Sequence, residues 1–233
     1  MGPDGLVPSF TVPPNCAICR GGWVYHGSEK MYYPDGQLNN KFGKAFPCAC
    51  QKQTREEKRR AALMKYCALP DDADNKTLAN FDIKPENTEM VAAATEVIAG
   101  KVIFLTLSGV VNTGKTHLAI SVCHEWLNAG IPAKFYQCGQ FLRDLRDCFD
   151  EDARYKYREV FERACTVPLL VLDDFYQGKR SEWAEGELEG LVDARYLKKL
   201  PTVFTTNVPL SAMSERIASR LQRESWCRVV VLQ

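Results

Sequence analysis

Residues 102–116 read VIFLTLSGVVNTGKT, and the second half, GVVNTGKT, fits G-x-x-x-x-G-K-[ST] through Gly109, Gly114, Lys115 and Thr116. No other stretch restricts the fold as much. Such a loop works by aiming consecutive backbone N–H groups and a helix N-terminus at one anionic group, so an apolar strand has to end where a helix begins. In that setting Lys115 reaches the β- and γ-phosphates of a nucleotide and Thr116 ligates Mg²⁺. Gly109, Asn112, Thr113, Gly114, Lys115, Thr116 and His117 are the candidate contacts, with ATP and Mg²⁺ as ligands. The alternative for the same letters is a glycine turn carrying an exposed lysine.

The rest of the chain repeats the alternation that the loop demands. Short apolar runs at 102–107, 133–137, 167–172, 202–206 and 228–232 alternate with helical stretches at about 87–99, 116–128, 139–165, 182–197 and 211–222. Five such strands separated by helices describe a five-stranded parallel sheet covered on both faces, an α/β three-layer core. Two strand ends carry chemistry. LLVLDDF, residues 169–175, closes on two carboxylates. Asp173 is placed to hold Mg²⁺ through water, and Asp174 to orient or activate the attacking water, although an acidic pair after a strand also caps helices. TVFTTN, residues 202–207, ends in Asn207, either a second hold on that water or ordinary turn chemistry.

Size and charge bound the function. At 233 residues there is room for one α/β core and a small appendage. A net charge of +1 supplies no global field for nucleic acid or anionic lipid, so any such binding needs a local patch. MGPDGLVPSF has no basic region followed by an apolar run, and the longest apolar stretch is about half of a membrane span. The chain therefore reads as cytoplasmic and without a membrane span. Of its 10 cysteines, Cys67, Cys123, Cys138, Cys148, Cys165 and Cys227 are scattered singly and read as small core hydrophobes with reduced thiols.

The other four are paired. Cys16-Ala-Ile-Cys19 and Cys48-Ala-Cys50 bring two thiolate pairs, a set that suits tetrahedral Zn²⁺ and gives a fold to a segment too small for its own core. His26 is a substitute ligand, and unpaired cysteines are the alternative. The next stretch, QKQTREEKRRAALMKY at 51–66, is helix-forming, with six basic residues and two acidic ones. It is either a solvated face or a surface for nucleic acid or an acidic partner. The expected organisation is a lead-in and zinc module at 1–50, a basic helix and linker at 51–76, and an ATPase domain at 77–233.

GVVNTGKTHLA, LLVLDDF, SEW…ARY…PTVFTTN and ERIASRL, in this order across roughly residues 77–233, resemble the AAA+ ATPase core of the bacterial DnaC/DnaI helicase loaders and the related IstB transposition ATPases. CAICRGGWVYHG…PCACQKQ is similar to the cysteine segment that precedes that core in many of them. The resemblance implies an adenine-side contact at Phe81 in NKTLANF and an arginine donated to a neighbouring subunit at Arg220 in ERIASRL, with Arg216 and Arg223 nearby. It also offers Arg195, in ARY, as a contact across the subunit interface.

The chain departs from the family pattern at Asn112, where a glycine is common. Asn tolerates positive φ, so the loop is expected to form. No helical lid domain is expected after the last strand, and the fifteen residues ahead of Cys16 are expected to be less than the longer helicase-gripping region that the resemblance to loaders implies. The implied function is a loader that self-assembles with ATP, contacts single-stranded DNA and places a replicative DNA helicase. An IstB-like helper that binds duplex DNA and a transposase uses the same core. A small-molecule P-loop kinase needs an acceptor pocket and a cationic lid that the sequence does not display. Because 139–165 balances six basic residues against seven acidic ones, the helix at 51–66 is the expected DNA contact.

Overall fold

The computed structural model describes residues 23–25, 45–47, 49–148 and 154–232, with side chains over 55–148 and 157–232. Backbone contacts divide the chain into two units, Met1–Arg59 and Arg60–Gln233. In the first unit β1 (Trp23–Tyr25) pairs antiparallel with β2 (Ala45–Pro47), Val24 lying opposite Phe46. The thiols of Cys16, Cys19, Cys48 and Cys50, and His26, lie outside the described residues.

The basic stretch is helix α1 (Ala49–Cys67), whose residues 55–62 are exposed on every side. Its last turns are anchored: Leu63 and Met64 pack against the core of the second unit and Cys67 is buried in it. Lys134 Nζ donates to the Tyr66 carbonyl at 2.9 Å, satisfying an end group that the helix itself leaves open.

The second unit is built on five parallel strands, β3 (Phe104–Gly109), β4 (Ala133–Gln137), β5 (Leu169–Asp173), β6 (Thr202–Thr206) and β7 (Cys227–Leu232), in the order β4-β5-β6-β3-β7. Each lies within two residues of its place in the sequence reading. Helices α2 (Thr88–Ile98), α3 (Lys115–Asn128), α4 (Cys138–Asp147), α5 (Arg154–Thr166), α6 (Glu182–Lys198) and α7 (Glu215–Gln222) connect them. One helix was expected over 139–165; the structure has two, α4 ending ahead of the acidic run Asp150-Glu151-Asp152. Negative charge is unfavourable at the end of a helix where the carbonyl groups point.

Two apolar cores follow from the two-residue period of the strands. Leu105 and Leu107 of β3, Val171 of β5 and Val203 of β6 face α2 and α3. Phe104, Leu170, Leu172 and Phe204 face the opposite way, onto α4, α6 and α7. Fully burying a side chain of this kind contributes about 1.5–3 kcal/mol, so the layers hold each other in register. That register aligns the strand ends: Ser108 lies beside Thr206 and Gln137 beside Asp173. In an open α/β sheet this edge, at the carboxyl ends of the strands, is where ligands bind.

Candidate functional site

The glycine loop is clamped from two sides. At Gly109, with φ 150°, an added Cβ would lie 2.3 Å from the carbonyl oxygen of Leu232, because the end of β7 presses on the loop. At Gly114, φ 84°, an added Cβ would come within 3.0 Å of the Phe81 ring. Asn112 between them takes φ 64°, the left-handed region that Asn enters more readily than other non-glycine residues. Helix α3 starts at Lys115, so its free N–H groups face the loop. Lys115 Nζ donates to the carbonyls of Gly109, at 2.9 Å, and Val110, and to Thr113 Oγ1 at 3.1 Å. Burial pulls the lysine pKa below its ordinary value, a shift opposed by the charges of Asp174 and Asp173.

Beneath the loop the start of α3 and the strand β6 converge on one carboxylate at the end of β5. Thr116 Oγ1 donates to Asp173 Oδ1 at 2.8 Å, and Thr205 Oγ1 donates to the same oxygen at 2.6 Å. Asp173 is buried, and burial raises its pKa against the lowering effect of the Thr205 and Thr116 hydroxyls. A hydroxyl and a carboxylate oxygen this close form the hard oxygen donor set that Mg²⁺ takes, so the residues fit that ion. Asp174 has left the strand: its φ is 52°, its N–H donates to Thr205 Oγ1 at 3.0 Å, and its Oδ1 accepts from Gln177 Nε2 at 2.9 Å. Gln177 was not read from the sequence, although its spacing of three residues from Asp174 was visible. Asn207 is exposed and leaves the sheet one residue after Thr206, at the strand end next to the one that begins the loop.

On the other side of the loop lies a cleft of about 630 Å³ lined by Phe81, Asn87, Asn112, Gly114, His117 and Leu232, among others. The linker makes a 3-10 turn at Ala73–Asn75 and runs on into two more at Leu78–Asn80 and Pro85–Asn87, and residues from Asn80 to Asn87 form the outer wall of the cleft. One face of α3 holds that linker. His117 Nε2 donates to the Thr77 carbonyl at 3.0 Å, Ser121 Oγ to that of Lys76 at 3.1 Å, and His124 Nε2 to that of Ala73 at 3.0 Å. The Phe81 ring meets His117 edge-on with centroids 5.1 Å apart. Asn87 closes the wall, accepting from Lys84 N and donating to the Asp82 carbonyl, each at 2.8 Å. Ser121 and His124 escaped the sequence reading. Their i, i+4, i+7 series with His117 was the available signal; Asn87 gave none.

The arginines separate. Arg195 is fully buried: Nε donates to Thr202 Oγ1 at 2.8 Å, Nη1 to the carbonyls of Ala164 and Val167, and Nη2 to that of Pro201 at 2.7 Å. It cannot reach a neighbouring subunit, which corrects the expectation for ARY, and burial lowers its pKa to about 9. Arg220 is half-buried on α7, with Nε 2.9 Å from Asp193 Oδ1 and its guanidinium 4.6 Å from the Tyr196 ring centroid. Arg216 pairs with the other oxygen of Asp193, and Arg223 is exposed at the end of α7.

Of the singly placed cysteines, Cys67, Cys123, Cys138 and Cys165 are buried free thiols. Among the described residues no group of three or more His, Cys, Asp or Glu could hold a metal ion. No described helix is long and apolar enough to cross a membrane.

A family model described as IstB-like ATP binding protein matches residues 48–220. The replicative helicase loader DnaI of Bacillus subtilis is 23% identical over 202 residues, covering 83% of this chain and 64% of that protein. The replicative helicase loader DnaC of Escherichia coli is 25% identical over 126 residues, covering 54% of this chain and 51% of its own. The chain thus spans between about half and two thirds of the length of these relatives. Among solved structures, the replication initiator DnaA bound to AMPPCP and single-stranded DNA superposes with a TM-score of 0.60 at 22% identity, over 69% of this chain and 50% of the other. That likeness is one of fold, an α/β domain with five parallel strands.

Proposed function

This chain belongs to the IstB-like ATP-binding protein family, and on that premise we propose that it is a cytoplasmic ATPase that loads a replicative DNA helicase, assembling with ATP and contacting single-stranded DNA. The observation that carries the ATPase reading is the meeting of Thr116, Thr205 and Asp173 under the glycine loop. The names of the relatives, both replicative helicase loaders, favour that role over transposition.

Each residue then has a task. Lys115 exchanges the loop carbonyls for β- and γ-phosphate oxygens, and the backbone N–H groups of Thr113 to Thr116 cradle the same phosphates. Thr116, and Asp173 through water, would hold Mg²⁺, which would neutralise charge on the β- and γ-phosphates. Asp174 orients the attacking water and Asn207 steadies it from the neighbouring strand. Phe81 and His117 line the side where the base lies. Arg220 is donated to the ATP of an adjacent copy, where a guanidinium spreads over the charge that builds on the transferred group. Cys16, Cys19, Cys48 and Cys50 hold a structural Zn²⁺, a reading supported by their paired spacing.

Affinity capture from the host in the presence of ATP, scored for replicative helicase against transposase, tests the role. Helicase retained with ATP and lost with the Lys115→Ala protein is the expected result. Recovery of a transposase with duplex DNA in its place would move the protein to the IstB-like transposition helpers.

A further inference from the structure

Two helices face each other through one charged stripe. Glu189, Asp193 and Tyr196 follow one another at helical spacing along α6, and Ser214, Arg216 and Arg220 line the facing side of α7. Ser214, the N-cap of α7, donates through Oγ to Glu189 Oε1 at 2.7 Å, which fixes where the helix begins. Further along, Asp193 divides its two oxygens. Oδ2 accepts from both Nε and Nη2 of Arg216, whereas Oδ1 takes Arg220 through Nε at 2.9 Å. The Nη edge of Arg220 is the part that Asp193 does not engage. Tyr196 supports one face of the same guanidinium, and its own hydroxyl is tied to Glu224 Oε1 at 3.0 Å, so the ring cannot swing away. Burial works to raise the pKa of Asp193, but the hydrogen bonds from Arg220 and Arg216 outweigh it and hold the carboxylate below its ordinary range.

We infer that Asp193 and Tyr196 are positioning residues for Arg220: they grip its Nε edge and one face, and turn its Nη edge toward the γ-phosphate of ATP bound by a second copy of this chain. This rests on the reading that Arg220 serves a neighbouring site. An arginine free on a helix surface has to lose its rotamer freedom each time two copies meet, and a held one does not. A guanidinium displaced by about 1 Å can cost on the order of 100-fold in rate, so losing the grip has a measurable effect.

The test uses the full-length protein with ATP and single-stranded DNA. Asp193→Asn and Tyr196→Leu are expected to lower kcat roughly 10- to 100-fold and leave the KM for ATP unchanged. Asp193→Glu should recover part of the loss. Mixing either variant with an excess of Asp174→Asn subunits, which bind ATP without turning it over and carry an intact α6–α7 pair, should restore turnover. Arg220→Ala mixed in the same way is the reference. If that mixture stays inactive, the trans reading of Arg220 is wrong. If it recovers while Asp193→Asn and Tyr196→Leu either keep wild-type kcat or are not rescued, the positioning role is overturned and the trans reading stands. Should Asp193→Asn fail to fold, Tyr196→Leu alone decides, since it leaves the carboxylate–arginine pairs in place.

Discussion

Asn112 holds a backbone conformation that glycine would adopt without cost, and its φ of 64° is what lets the loop wrap Lys115. Asn112→Gly should bind ATP within about two-fold of wild type. Asn112→Val, a β-branched residue at positive φ, should weaken binding and cost roughly 1–3 kcal/mol of stability; nucleotide titration and thermal unfolding report both. Asp173 gives a second single-residue prediction, in pH. Its folded pKa is raised above 3.8, so the native state binds a proton more tightly than the unfolded chain does. Stability is therefore lost as pH rises from 3.8 through the raised value, and the full cost is present at neutral pH. Asp173→Asn removes that cost, since an amide oxygen can still accept from Thr116 and Thr205. Without nucleotide or Mg²⁺ the variant should melt higher than wild type at pH 7, by roughly 2–4 °C for each kcal/mol relieved. The margin should close on acidification; a margin that grows at low pH would contradict the buried-charge account.

At the level of elements, helix α3 works twice: its N-terminus closes the phosphate loop, and one of its faces holds the linker that leads into the wall of the cleft. His124 makes the second task testable, because it lies two turns from the loop. His124→Ala removes one of the two donors to the Ala73 carbonyl, which keeps the Lys76 N–H at 2.8 Å, and opens a cavity, and it should destabilise the protein by about 1–3 kcal/mol. It should also weaken ATP binding several-fold, because Phe81 sits on the released linker, and speed amide hydrogen exchange over residues 73–81. Unchanged exchange there would mean that the α3 face does not hold the linker. The strands were legible because their signal is local: an apolar run bounded by turns needs no partner to be seen. The helix face was not, since His117, Ser121 and His124 pair with backbone carbonyls, and the sequence of the linker does not mark which of its carbonyls will be turned inward.

For the whole molecule, the zinc proposal and the ATPase core separate cleanly. The unit from Arg60 onward has its own two apolar cores, so metal loss should not disturb it. Fresh protein should contain one zinc per chain, and a strong chelator should unfold residues 16–50 while nucleotide binding persists. Protein purified without any zinc would end that proposal. What the sequence determined by itself was everything written within a few consecutive residues: the strand–loop–helix of GVVNTGKT, the acidic close of LLVLDDF, and the alternation that makes a parallel sheet. Only the tertiary structure decided which distant groups meet. Thr116, Asp173 and Thr205 share one hydrogen-bonded cluster because β6 lies between β3 and β5, and no local pattern encodes that order. Arg195 is the sharpest case. Its charge suggests a surface, yet four acceptors, Ala164 of α5, Val167 just beyond that helix, Pro201 and Thr202 of β6, satisfy it in the core. A buried charge persists only where the fold brings enough partners to it, and those partners are fixed by strand order and register across the whole domain.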